Sequence, residues 1–325
     1  MTFDLFKTLF WQSTVNGVVL GSIYALVALG YTLVYGVLRL INFAHSEVFM
    51  LGAFGSLIAI DILGIPDRAP GGGDPIKTGG ALVFTLLFCL LFSMVVSGAS
   101  AVALEQIAYR PLRRRNAPRL VFLISAIGAS FAIAEAVGEW GPDNREEYRI
   151  ARVMEKKTLF DLFSAQVRND HVLAVVGALI MMSLLLLFVN KTRVGRGIRA
   201  VAQDGETARL MGVNTDRIIM ITFLVGGLMA GAAAFFFAIY NGTARYSMGF
   251  SLGVKSFTAA VLGGIGNIKG ALLGGILLGV IENYGASLFE ADQKMGNVTA
   301  FVLLVAVLMF RPSGLLGESM GRARA

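Results

Sequence analysis

Long apolar runs separated by short polar stretches make up most of this chain. No charged residue falls between Lys7 and Arg39, between Lys77 and Glu105, or between Arg217 and Arg245. Each run exceeds the roughly 20 residues that cross a bilayer as a helix. The pattern predicts nine apolar segments, at approximately 13–37, 45–62, 81–104, 120–138, 172–190, 218–240, 254–266, 270–288 and 296–310. The seventh is short for a span and predicts a re-entrant or broken helix. The fold class expected is all-α. It is a polytopic transmembrane helical bundle of eight to nine membrane segments, forming a single domain over residues 1–325.

Composition agrees. Of 325 residues 56% are hydrophobic and 15% charged, with a mean hydropathy of +0.71, whereas soluble domains are about a quarter charged. The net charge of +7 lies in short loops, which points to topology and not to nucleic acid. Residues 109–119 (YRPLRRRNAPR) carry five arginines and no acid, and residues 190–217 carry six basic and three acidic side chains. Both loops, and the basic tail after Arg311, are assigned to the cytoplasm. The loops at 61–79, with three acids and two bases, and at 139–170, with seven acids and six bases, are assigned to the outside. The expected topology is an outside N-terminus, a cytoplasmic C-terminus and an odd number of crossings, which counts 254–266 as a thin crossing. The mixed charges of 139–170 fit a solvated face or a docking surface. The first apolar run is too long for a signal-peptide core and is expected to stay as a span. Cys89, the single cysteine, offers no disulfide framework and no Cys-based metal site.

The 39 glycines exceed the usual share of about 7%, and many are four residues apart. Gly17 and Gly21, Gly227 and Gly231, Gly266, Gly270 and Gly274, and Gly275 and Gly279 each predict a small-residue face on a helix. Such faces let two backbones approach closely in lipid. The run AAVLGGIGNIKGALLGG (259–275) is not a nucleotide-binding loop, because it has neither the Gly-Lys-Ser/Thr ending nor a preceding strand.

Ionisable residues at bilayer depth must face protein or a water-filled cavity. Glu47 opens the second segment, Lys255 opens the seventh, and Glu282 lies in the eighth. Lys255 and Glu282 have opposite signs on adjacent segments, which fits a structural pair or a substrate role. Glu105 and Glu135 lie nearer segment ends, where snorkelling accounts for them. In RLINFAHSEVFMLGAF (39–54), Asn42, His45, Ser46 and Phe49 are spaced to share one helix face. A lone His–Glu pair provides no zinc site of the usual kind, and no Gly-x-Ser-x-Gly elbow is present to use His45. No catalytic residue is predicted. The cluster reads as a polar helix break, either a structural turn or the inner mouth of a pathway.

Residues 199–222 (RAVAQDGETARLMGVNTDRIIMIT) predict a short cytoplasmic helix. Asp204 is placed to cap it, Gly212 to end it in a left-handed conformation. Leu210 and Met211 give it an apolar side, Glu206 and Arg209 a polar one. Such a helix either docks a partner or lies on lipid.

The spacing Glu206-x-Ala208-x3-Gly212 resembles the Glu-Ala-Ala-x3-Gly coupling loop of ABC importer permeases, with Thr207 in place of the second residue and no later Leu-Pro. Residues 16–54 closely resemble the first two spans of the branched-chain amino-acid ABC permeases. They match the subunit class represented by the high-affinity leucine/isoleucine/valine importer. EQIAYRPLRRR (105–115), LISAIGAS (123–130), MGVNTDRI (211–218), KSFTAAVLGGIGNIKGALLGGILLG (255–279) and RPSGLLG (311–317) are similar to that family too. Ser46 departs from it, standing where the family commonly has Gly.

The resemblance implies a permease of the bacterial inner membrane, working with a second, different permease, two cytoplasmic ATPases and an extracytoplasmic binding protein. ATP and Mg would be bound by the partner ATPases and none by this chain. Asp204, Glu206, Ala208, Arg209 and Gly212 would form the coupling loop. Asn42, His45, Ser46, Glu47, Lys255 and Glu282 are the candidates for the translocation pathway. The alternatives are a urea or short-amide permease of the same class, and an ion-coupled secondary transporter acting through Glu47, Lys255 or Glu282.

Overall fold

A computed structural model describes residues 3–65, 79–140, 147–151, 153–288, 293–311 and 313–317. Most of the loop at 61–79 and parts of 139–170 therefore lie outside the described residues. The first half of the chain comprises α1 (Phe3–Leu38), α2 (His45–Ile62), α3 (Gly80–Leu104), a π-helical turn (Glu105–Tyr109), α4 (Arg110–Arg114) and α5 (Arg119–Trp140). Three short strands follow: β1 (Tyr148–Arg149), β2 (Thr158–Leu162) and β3 (Ala165–Arg168). Then come α6 (Asn169–Lys191), α7 (Arg193–Gln203), α8 (Gly205–Leu210), α9 (Thr215–Asn241), β4 (Thr243–Ala244), α10 (Met248–Gly263), α11 (Ile268–Leu288) and α12 (Gln293–Phe310). The strands form two small antiparallel ribbons, β1 with β4 and β2 with β3, so the fold is helical with minimal strand.

Six helical segments among the described residues are long and apolar enough to cross a membrane. Of these α1 is the most enclosed, packing on α11, α9, α10 and α6, while α3, α5 and α6 are the least. The outer helices turn apolar side chains outward, among them Phe84 and Leu91 of α3, Phe131 of α5 and Leu184 of α6. Lipid solvates such a face as well as protein does, so burial alone cannot hold the helices together.

Close backbone approach and buried hydroxyls do so instead. A Cβ placed on Gly275 would lie 2.6 Å from the Cα of Ala25, and one on Gly17 would lie 2.6 Å from the Cα of Val280. Gly21 and Gly279 meet in the same seam, so α1 and α11 touch backbone to backbone. On the other face of α11, Gly270 and Gly274 pack against Gly263 and Ala259 of α10. Gly227 and Gly231 of α9 pack against Ser93, Met94, Ser97 and Gly98 of α3. There the Ser93 hydroxyl lies 2.8 Å from both the Gly52 and the Gly231 carbonyls, and Ser97 donates to Val48 O at 2.8 Å.

Two expectations change. Gly266 is not on a helix face: its φ of +98° places it in the turn between α10 and α11, with no atom within 4 Å of where a Cβ would stand. The seventh segment is α10, and it begins earlier than the apolar run at 254–266. The run missed its first turn because Gly249 and Ser251 lower the local hydropathy. Its 16 residues span about 24 Å, less than the roughly 30 Å of hydrocarbon.

Gly275→Leu forces a branched side chain into the α1–α11 seam. Overpacking costs about 1–3 kcal/mol, so the variant is expected to lose thermal stability in detergent and monodispersity on size exclusion. Gly128→Ala, with nothing within 4 Å of its Cβ position, is the control and is expected to match the parent. Equal melting of both variants would contradict the seam.

Candidate functional site

Helix α1 ends at Leu38, and the chain does not simply turn over into α2. Arg39 takes a left-handed conformation (φ +53°), and residues 40–44 run back along α1. The imidazole of His45 then meets the ring of Tyr31, with centroids 4.8 Å apart, and sits where a side chain on Gly30 would be. Since Gly30 and Tyr31 lie seven to eight residues before the end of α1, α2 begins roughly 11 Å inside that end. Helix α2 is thus a broken helix starting at depth. His45, Ser46 and Glu47 are buried on its first turn. Asn42 is buried too, but it lies in the non-helical approach, so it does not share a helical face with His45, Ser46 and Phe49. Asn42 instead accepts from the Tyr109 hydroxyl through Oδ1 at 2.9 Å. The π-helical turn aims Tyr109 inward.

Helix α10 begins at the same depth and runs the other way. Its Gly249 lies against the Glu47 carboxylate and Ser46, and its Gly253 against Ser46. Its far end is strapped by the chain terminus: Leu315 N donates to Leu262 O at 2.8 Å and Leu316 N to Gly263 O at 3.0 Å. Leu315 and Leu316 therefore cap α10, satisfying carbonyls that the last turn leaves free. Two half-helix N-termini with their partial positive charge thus converge on one carboxylate. Glu47 Oε1 also accepts from Ser130 of α5 at 3.0 Å, while Oε2 has no partner among the described residues. The single proton of Ser46 goes to the nearer Phe43 carbonyl, 2.6 Å away against 3.3 Å to Glu47.

Lys255 and Glu282 come together. Nζ lies 2.6 Å from Oε1, both side chains are buried, and the ammonium lies 5.9 Å from the ring centroid of Tyr24. The pair joins α10 to α11 inside the bundle. Glu105 does not snorkel. It is buried and held by Arg113 at 2.9 Å, and Arg113 also holds Asp216 at the start of α9 at 2.9 Å. Hydropathy alone gives no sign of the roles of Tyr109, Arg113 and Ser130, or of the partners of Arg39. Tyr109 and Arg113 lie within the quoted EQIAYRPLRRR stretch, but nothing in the sequence names their partners.

The helix expected in 199–222 is α8, and its ends form as the sequence demands. The Asp204 carboxylate accepts from the amides of Glu206 (3.0 Å) and Thr207 (3.2 Å) and from the Thr207 hydroxyl. These bonds, the hydroxyl first, hold its carboxyl below the usual carboxylate range. Gly212 closes the helix with φ +84°, its amide donating to Arg209 O at 3.0 Å. Ala208 faces inward on a small core with Ile198, Val201 and Ile218. Glu206 and Arg209 are exposed. Leu210 and Met211 are bare to solvent, 87% and 81% exposed. The α7–α8 knob is tied to α1 by Arg39, which donates to Gln203 O at 3.1 Å and Ala202 O at 3.4 Å.

Removing one member of a buried ion pair strands the other and costs about 3–5 kcal/mol, whereas replacing both by apolar groups is far milder. Lys255→Met or Glu282→Leu alone is therefore expected to reduce folded yield and melting temperature more than the double variant does. Additive losses in the double variant would exclude a stabilising pair.

The family described as "Branched-chain amino acid transport system / permease component" matches residues 13–308 of this chain. The chain is 41% identical over 310 residues to the high-affinity branched-chain amino acid transport system permease protein BraD of Pseudomonas aeruginosa, covering 94% of this chain and 95% of that one. It is 37% identical over 312 residues to the corresponding protein LivH of Escherichia coli strain K12, covering 95% and 96%. A shorter likeness, 35% over 143 residues and 42% of this chain, is to the autoinducer 2 import system permease protein LsrC of Photorhabdus luminescens. Broken apolar helices, a capped knob at one end and a match along nearly the whole length agree, and the chain belongs to the branched-chain amino acid transport permease family.

Proposed function

We propose that this chain is one of two permease subunits of an ATP-driven importer of branched-chain or related amino acids in the bacterial inner membrane. The observation that carries this reading is the knob at α7–α8. Its fold is fixed by its own small core, its ends are capped, and yet it leaves Leu210 and Met211 bare. Two large apolar side chains at the tip of a polar, basic loop suit a groove on a protein partner. In this reading the partner is a cytoplasmic ATPase, which places the knob in the cytosol. A second, different permease, a second ATPase and an extracytoplasmic binding protein complete the transporter, and ATP and Mg belong to the ATPases.

The family membership supports the transport role, and the geometry suggests how it works. ATP binding closes the ATPases on the knob. Arg39 carries the movement to residues 40–44, and these set where α2 begins. A two-state change in the broken helices then opens the path to one side or the other. In this scheme Asn42, His45, Ser46 and Glu47 lie beside the path, next to α5. Lys255 and Glu282 hold α10 to α11 and act as structure.

Proline at 212 cannot adopt φ +84° and removes the amide that donates to Arg209. Gly212→Pro is expected to insert normally and to abolish ATP-driven leucine uptake in proteoliposomes holding the whole transporter. Leu210→Asp/Met211→Asp is expected to lose co-purification of the ATPases. Full uptake in either variant, or uptake by the wild-type transporter without ATP, would refute the reading.

A further inference from the structure

A cavity of about 620 Å³ lies between α2 and α5 at the end opposite the knob, within the roughly 300–1,000 Å³ of ligand pockets. Its walls are apolar, with Leu51, Phe54, Leu57 and Ile58 from α2 and Ile133 and Val137 from α5. Two charged side chains join them, Asp61 on the last turn of α2 and Arg149 on β1. Both are positioned by secondary structure. Asp61 is helical. Arg149 pairs in register with Thr243, and the next residue, Ile150, donates to Gly242 O at 2.9 Å. The ring of Tyr148 meets that of Phe54 at 5.3 Å and holds the ribbon over the cavity. Glu147, the nearest acid in sequence to Arg149, is bonded by Arg245. No side-chain hydrogen bond from Asp61 or Arg149 to another described residue is formed, and the charge of Arg149 acts on Glu147 alongside that of Arg245.

One acid, one base and an apolar wall complement a zwitterion with an aliphatic side chain. The cavity is also in line with the buried junction: Leu51 is one helical turn beyond Glu47, and Ile133 is one turn beyond Ser130. We infer that this cavity is a substrate-binding vestibule for an aliphatic α-amino acid, with Asp61 receiving the ammonium, Arg149 the carboxylate and the α2–α5 wall the side chain. The inference rests on the importer reading above. It adds a binding step on the permease itself, after release from the binding protein and before passage of the Glu47–Ser130 contact.

The test uses the complete transporter in proteoliposomes, with Cys89 replaced by Ser and Ile58→Cys as a reporter, since Ile58 lines the cavity and is half exposed. Leucine is expected to slow maleimide labelling of the reporter. Leucinamide, which lacks the carboxylate, and 4-methylpentanoate, which lacks the ammonium, are expected not to. Asp61→Asn and Arg149→Gln are each expected to remove protection and to lower leucine delivered per ATP by about tenfold, the scale of a lost charge-assisted hydrogen bond. ATPase stimulation by the binding protein is expected to persist in both. Equal protection by all three compounds, or protection surviving in both variants, would overturn the assignment. So would loss of ATPase stimulation in the variants, which would make these residues a docking contact. Failure of the importer reading is a separate result, seen as ATP-independent uptake in the parent transporter.

Discussion

The seam between α1 and α11 is a backbone contact, and much else follows from it. Gly17, Gly21 and Ala25 on one helix meet Gly275 and Gly279 on the other with only the Ala25 methyl between them. Dispersion falls off steeply with distance, so two helices in this contact gain attraction that a leucine-faced pair in lipid would not. The same helix α11 carries Gly270 and Gly274 on its other side, against α10. One glycine-rich helix therefore sets the positions of both α1 and α10. These are the helices that flank the start of α2.

Between α1 and α10, α2 begins at depth, with His45 against Gly30 and Ser46 against Gly253. A backbone that breaks inside a membrane must satisfy its polar groups within the protein. The Ser46 hydroxyl serves that need at the Phe43 carbonyl, and the amides of His45 and Glu47 at the Asn42 and Ala44 carbonyls, while Tyr109 and Ser130 pair the buried side chains of Asn42 and Glu47. The Glu47 carboxylate is the one acid on the first turns of α2 and α10, and it offsets the positive ends of both. A side chain at 249 would meet both the Glu47 carboxylate and the Ser46 carbonyl.

The sequence made the helices legible because the apolar runs are long and their ends are charged. The pattern gave the bounds of α2 to the residue, at 45–62. It also gave both ends of α8, because an Asp cap and a left-handed glycine are local effects that need no tertiary partner. It gave Gly275 and Gly279 as a face but misplaced Gly266, since spacing by fours does not reveal where a helix has already ended. The pairing of Lys255 with Glu282 was one of two open readings, and only the fold brings them to 2.6 Å. Glu105 read as snorkelling because its partner Arg113 lies across a π-helical turn, a register that hydropathy does not record. Serines 93, 97 and 130 looked like ordinary small residues of membrane helices. Their roles depend on which carbonyl or carboxylate faces them, and that is a property of the packing.

Arg39 shows how those local and distant effects join. Its left-handed backbone costs about 1–2 kcal/mol for a residue with a Cβ, and its two hydrogen bonds to the end of α7 offset that cost only while the knob stays where it is. Displacing α7 removes those bonds and leaves the strained residue free to relax. Relaxation changes the direction of residues 40–44, and Asn42 within them is bonded to Tyr109 on the α3–α4 side. Asp216, just past the knob, is bonded to Arg113 on that same side. The knob is thus attached at two points, one leading to the start of α2 and the other to the π-helical turn beside it. Both attachments lead to the same buried junction at the start of α2.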